Sequence, residues 1–301
     1  MDVDSGAVMV EIKEVTKTFT LRDQSVQILK GINATIRMSD FVVILGPSGC
    51  GKSTLLHIIL GLEKPTAGTI MFLGENIYDN TDEDYRSSFR KKHIGMVYQQ
   101  ANWVKSLNVV QNVGFPLILL GMEEEVAHDK AMECLHLVEM ENWADRIPTE
   151  LSSGQQQRVA LARSLINNPE IIIADEPTGN LDFTSGEAMM ELLYGFNQEK
   201  RKTVVMVTHD LEYVKYANTV IRMMDGVVVG EYRGDQKNEL MKGLKLKRKV
   251  SNDELGSAAS QGKFTLDTLP SESQTTQSDS SQAVLKQTQP IASTMKVVTK
   301  P

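Results

Sequence analysis

Two spacings of apolar residues alternate along the first part of the chain. Val8–Phe19 and Ile28–Ile36 switch between apolar and polar positions and are rich in β-branched side chains. That pattern predicts half-buried antiparallel strands. Phe41–Leu45, Ile171–Ala174 and Val204–Val207 are almost continuously apolar instead, as strands covered on both faces of a parallel sheet are. Thr69–Leu73 predicts one more strand. Lys52–Leu60 and Gly186–Glu199 predict helices, and the second joins two buried strands as a crossover. From about 108 to 165 no strand pattern appears, while Glu123–Glu139 and Gln155–Ile166 predict helices. The expected architecture is α/β. It has a mostly parallel core sheet, an antiparallel β subdomain, and an α-helical subdomain inserted at about 100–166, all within residues 1–234.

Beyond 234 the pattern fades. Lys242, Lys245, Lys247, Arg248 and Lys249 form a basic cluster, and Ser/Thr/Gln-rich sequence runs on to Pro301. Residues 235–301 therefore read as a disordered tail. Contact of the basic cluster with anionic lipid headgroups is the alternative to a solvated tail start.

Composition narrows the classes. Of 301 residues, 41% are hydrophobic, enough for a core, and the formal charge of −7 argues against a nucleic-acid binder. Cys50 and Cys134 lack metal-ligand spacing, as in a reducing compartment. No apolar run approaches the ~20 residues that span a bilayer. The expected location is the cytoplasmic face of a membrane, reached through a partner.

The chemistry lies in three motifs. Gly46-Pro47-Ser48-Gly49-Cys50-Gly51-Lys52-Ser53-Thr54 joins a buried strand to a helix and fits the P-loop pattern. Its backbone N–H groups and the helix N-terminus can cradle phosphates. Lys52 can reach the β- and γ-phosphates, and the Ser53 hydroxyl can bind Mg²⁺. Asp175 and Glu176 end the buried run Ile171–Ala174. A P-loop NTPase needs a Mg²⁺-holding carboxylate there, which suits Asp175, and Glu176 can polarise the attacking water. Leu151-Ser152-Ser153-Gly154-Gln155 then opens a helix with free N–H groups, a second anion site.

With this third motif about 20 residues before the acidic strand end, the chain resembles the ABC ATPase family, whose signature motif it matches. The resemblance extends over Val8–Gly234. Phe19 matches the aromatic residue that stacks on adenine. Gln99, in Gly95-Met96-Val97-Tyr98-Gln99, matches the Q-loop glutamine, which contacts Mg²⁺ or water. Gly179-Asn180-Leu181-Asp182 matches the D-loop and sets Asp182 among the nucleotide-site residues. His209 matches the switch histidine that senses γ-phosphate.

The resemblance implies ATP and Mg²⁺ as ligands and a sandwich of two such subunits, a homodimer being permitted by the intact motif set. ATP held by Lys52 and Ser53 of one chain is covered by Ser152, Gly154 and Gln155 of the other. It also implies an integral membrane permease as partner. Ser153 departs from the usual glycine. If that position needs φ > 0 or close phosphate approach, serine slows the site. Pro148-Thr149-Glu150-Leu151 and Glu176-Pro177-Thr178-Gly179 look like the bacterial subgroup of macrolide exporters, lipoprotein-releasing systems and the cell-division ABC pair. A cell-division ATPase that controls wall hydrolysis through a membrane partner is the alternative to an exporter.

Overall fold

The computed structural model describes residues 6–22, 24–79 and 82–244. The chain opens with β1 (Val8–Leu21) and β2 (Gln24–Arg37), then β3 (Phe41–Leu45), α1 (Lys52–Ile59), β4 (Ala67–Phe72) and β5 (Glu75–Asn76). Next come α2 (Glu83–His93), β6 (Ile94–Val97), α3 (Val109–Ile118), α4 (Glu124–Leu137) and α5 (Ser153–Leu165). The chain continues with β7 (Ile171–Asp175), α6 (Phe183–Lys200), β8 (Thr203–Thr208), β9 (Thr219–Met224) and β10 (Val227–Arg233).

The strands form two sheets. One is antiparallel, in the order β2-β1-β4-β5. The other runs β10-β9-β3-β8-β7-β6 and is parallel except for the β9–β10 hairpin at its edge. The strand period of two sorts the core directly. Phe41, Val43, Leu45, Ile172, Ala174, Val204 and Met206 face a cluster shared with α3–α6. Val42, Ile44, Ile171, Ile173, Val205 and Val207 face a second cluster, shared with α1 and the antiparallel sheet. Being covered on both faces is what made these runs continuously apolar. It also leaves their C-terminal ends as the places where chain can emerge toward ligand, as the crevice rule for open α/β sheets requires.

The helical insertion is present as α3, α4 and α5, with short 3₁₀ turns at Glu141–Trp143 and Pro148–Glu150. Several elements depart from the sequence pattern, and four of the departures have a clear physical reason. Helix α2 buries no residue, so no apolar stripe announced it; its Asp82 cap, acidic first turn and basic last turn suit the helix dipole. Helix α3 runs through Pro116 and packs close to α4, where a methyl on Gly114 would lie 3.1 Å from the Ala127 carbonyl. The β9–β10 hairpin turns on Asp225 and Gly226, both with positive φ (48° and 80°), as a type I′ turn demands.

The fourth departure lies past the expected domain end. Residues 235–244 are helical. Leu240, Met241 and Leu244 pack against the cluster that holds Tyr213, Val214 and Ala217, and the Lys237 ammonium donates to the Ala217 carbonyl at 2.6 Å. The apolar spacing 240, 241, 244 is helical, but the surrounding lysines hid it. The remainder of the expected tail, 245–301, lies outside the described residues, and with it Lys245, Lys247, Arg248 and Lys249.

Candidate functional site

The loop Gly46–Gly51 leaves β3 at the C-terminal end of the parallel strands and feeds α1. Gly51 caps α1 at φ 102°, a conformation that a side chain would strain. Gly46 is fixed for another reason, since a Cβ there would sit 2.5 Å from the Met223 carbonyl and 2.7 Å from the Cys50 sulfur. Lys52 is 5% exposed, and its ammonium donates to the carbonyls of Gly46 and Pro47 at 2.9 Å each. The lysine thereby lies folded along the loop it must serve.

Opposite stands the end of β7. The Ser53 hydroxyl donates to Asp175 Oδ1 at 3.3 Å. Burial pushes the Asp175 carboxyl above the usual carboxylate range, the Ser53 hydrogen bond opposes this, and Glu176 beside it adds to the rise. A hydroxyl and a carboxylate side by side are hard oxygen donors of the type Mg²⁺ takes, with its remaining positions left to water and phosphate. A divalent cation there would also offset the charge that burial disfavours, so the residues present fit that ion. Glu176 holds φ +46°, and its Oε1 lies 3.4 Å from His209 Nδ1. Gln99 reaches in from the other side, its amide packed where a Cβ on Gly179 would lie, 2.7 Å from Nε2.

These groups line one cleft of about 380 Å³: Ser48, Gly49, Gly51, Lys52, Ser53, Thr54, Gln99, Asp175 and Glu176, with Ile28 of β2. The structure thus brings together the P-loop, the acidic strand end and the Q-loop glutamine. Ile28 is an addition no motif signalled. Phe19 is not among the lining side chains; it is exposed on β1, with the Lys17 ammonium 4.8 Å from its ring centroid.

The signature residues sit elsewhere. Ser152 caps α5 in a reciprocal pair with Gln155: the Gln155 N–H donates to Ser152 Oγ at 3.3 Å, and the Ser152 N–H to Gln155 Oε1 at 3.0 Å. With Gly154 they line a separate cleft, of about 330 Å³, together with Trp143, Arg158, Thr184 and Ser185. The two clefts share no lining residue. Asp182 caps α6 by accepting from the Ser185 N–H at 3.0 Å, and its backbone and side-chain bonds from Ser185 hold its carboxyl below the usual range.

Ser153 opens α5 without a positive φ, so the backbone reason to expect a glycine there is absent. Cys50 is 4% exposed and belongs to the core. Burial pushes the Cys134 thiol up to about 11, in keeping with inert packing. Trp103 is half-buried against the core, and its indole N–H donates to Gln156 Oε1 at 3.0 Å. Among the described residues no helix is long and apolar enough to cross a membrane.

Residues 29–179 match the ABC transporter family. The chain is 45% identical over 228 residues to an uncharacterized ABC transporter ATP-binding protein, MJ0796, of Methanocaldococcus jannaschii, covering 74% of this chain and 96% of that one. It is 42% identical over 225 residues to the macrolide export ATP-binding/permease protein MacB of Bdellovibrio bacteriovorus. There it covers 75% of this chain but only 34% of the relative, so it spans about a third of that protein's length. Among solved structures, a dimeric post-hydrolysis state of the MJ0796 cassette bound to ADP and Pi superposes with a TM-score of 0.70. That match has 43% identity and covers 75% of this chain and 98% of that chain.

Proposed function

The chain belongs to the ABC transporter family, and from that membership we propose that it is the ATP-hydrolysing subunit of a macrolide-export or lipoprotein-release type system. In this reading two copies enclose ATP between them and drive an integral membrane permease from the cytoplasmic face. The observation that carries the pairing is the separation of the two clefts. One holds the phosphate loop and the acidic pair, the other the capped N-terminus of α5, and the two share no lining residue. Ser152, Gly154 and Gln155 of the partner subunit close over the phosphates that Lys52 holds.

The site's own residues then divide the work of phosphoryl transfer, which is mainly positioning and charge stabilisation. Lys52 turns from the loop carbonyls to the β- and γ-phosphate oxygens. Ser53 and Asp175, with Gln99 beside them in the cleft, would hold Mg²⁺, and the ion would supply charge neutralisation to the phosphates. Glu176 orients the attacking water and accepts its proton, and His209, beside Glu176, faces the γ-phosphate. ATP binds the closed pair preferentially and so draws it shut. The exposed side chains Ile118, Leu119 and Leu120 at the end of α3 offer an apolar surface suited to the permease.

The test is size-exclusion chromatography of Glu176→Gln with and without Mg-ATP, alongside turnover of the wild type. The expected result is a stable ATP-dependent dimer of a variant that no longer turns over. A variant that binds ATP yet stays monomeric would count against the homodimeric sandwich.

A further inference from the structure

We propose that Arg163 is a positioning residue for ATP turnover, fastening the segment after Gln99 to the signature helix so that Gln99 is aimed into the cleft. Residues 98–103 follow β6 and are held against α5 at four points. Gln157 Nε2 donates to the Tyr98 carbonyl at 2.8 Å. Arg163 Nη1 donates to the Asn102 carbonyl at 2.7 Å. The Trp103 indole donates to Gln156 at 3.0 Å, and the Arg163 guanidinium stacks over the Trp103 ring, 4.6 Å from its centroid. Gln156 and Arg163 are seven residues apart, two helical turns, and so share a face of α5.

Arg163 is an expensive residue for a merely structural contact. Burial pushes its pKa down, with no carboxylate of the described residues among the groups that act on it. An apolar side chain would fill the same place without desolvating a charge. What an apolar side chain lacks is the planar fork, which can donate to a carbonyl and lie flat on an indole at once. That pairing fixes two consecutive residues, Asn102 and Trp103, to one point on the helix. Toward the cleft, the Gln99 amide lies against Gly179, and Asn180 Nδ2 donates to the Gln99 carbonyl at 3.4 Å. Gln99 therefore hangs between the acidic strand end and a segment bolted to α5. A shift of α5 moves the segment and with it the glutamine.

This inference rests on the reading of Gln99 as part of the hydrolytic site, and the experiment separates the two. Steady-state Mg-ATP turnover is measured for the full chain as wild type, Arg163→Met, Gln99→Ala and the double variant. A displacement of about 1 Å at a reacting group lowers rates by ten- to a hundredfold, so Arg163→Met is expected to lose about tenfold in kcat, with KM for ATP little changed. Arg163→Lys should recover part of the loss, since it can donate to Asn102 but cannot stack flat. In the Gln99→Ala background, Arg163→Met should add no further loss. An equal loss in both backgrounds would overturn the inference while leaving Gln99 in the site. Full turnover by Gln99→Ala would overturn both. Thermal melts accompany each variant. If Arg163→Met does not fold, Trp103→Leu, which removes the ring that Arg163 stacks on, takes its place in the same cycle, and an equal loss in both backgrounds again overturns the inference.

Discussion

Deleting residues 235–301 should destabilise the domain more than deleting 245–301 does. The helical stretch 235–244 brings Leu240, Met241 and Leu244, all half-buried, onto the core cluster, and adds the Lys237–Ala217 hydrogen bond. Full burial of a Leu or Met side chain contributes ~1.5–3 kcal/mol, so three half-buried ones contribute ~3 kcal/mol. The hydrogen bond adds ~1 kcal/mol. The helix's own backbone bonds offset much of its ordering entropy, and the net loss comes to about 2–4 kcal/mol. For a domain of this size that lowers Tm by roughly 5–15 °C, a large share of the ~5–15 kcal/mol of total stability usual for a domain. The assay is thermal and urea unfolding of the full chain and both truncations. If the shorter truncation product melts within about 2 °C of the longer one, the packing reasoning is refuted and the domain ends at 234.

Four further outcomes follow from the site. Gly179→Ala places a methyl 2.7 Å from the Gln99 amide; because that amide ends a flexible side chain, Tm should hold while kcat falls, and unchanged kcat would argue that Gln99 does not act from this position. Glu176→Asn should abolish turnover yet raise stability by ~1 kcal/mol, since asparagine tolerates the φ of +46° better than glutamate does; a lower Tm would contradict the strain. The Asp175 carboxyl is raised in the fold, so its charged form opposes folding and its contribution falls as pH rises through the carboxylate range. Asp175→Asn should flatten that slope in melts from about pH 4 to 7, and an unaltered slope would sink the assignment. Ser153→Gly should leave turnover within about twofold, because no positive φ is relieved there; a large gain would point to phosphate approach instead.

The legible parts of this chain were those where one face, or both, had to be apolar. The buried strands β3, β7 and β8 announced themselves through unbroken apolar runs, and α1, α4, α5 and α6 through spacing. Helix α2 did not, because it packs nothing fully and is held by its cap and by Arg86 and Arg90 gripping Glu83. Helix α3 was hidden by Gly114 and Pro116, which local propensity disfavours and tertiary packing overrides. The β9–β10 hairpin was signalled by Asp225-Gly226, a turn dipeptide between apolar runs that the strand pattern alone did not weigh. In the site, the motifs located Lys52, Ser53, Asp175, Glu176 and Gln99. Spacing could not tell that the Ser152 cleft stands apart from them, since separation in space has no local signature. Nor did it point to Ile28, which enters the cleft through sheet packing.

The separation of the two clefts has a genetic consequence. In the homodimer proposed above, each composite site would draw its phosphate loop from one chain and its signature helix from the other. When a chain defective at Lys52 pairs with a chain defective at Ser152, both lesions fall in the same composite site and the second is left whole. When chains defective at Lys52 and at Glu176 pair, the lesions fall in different sites and neither is whole. Two inactive alleles of the first kind should therefore restore partial activity when co-expressed, and two of the second kind should not. The pattern of complementation among null alleles would draw the boundary between the clefts without any structure.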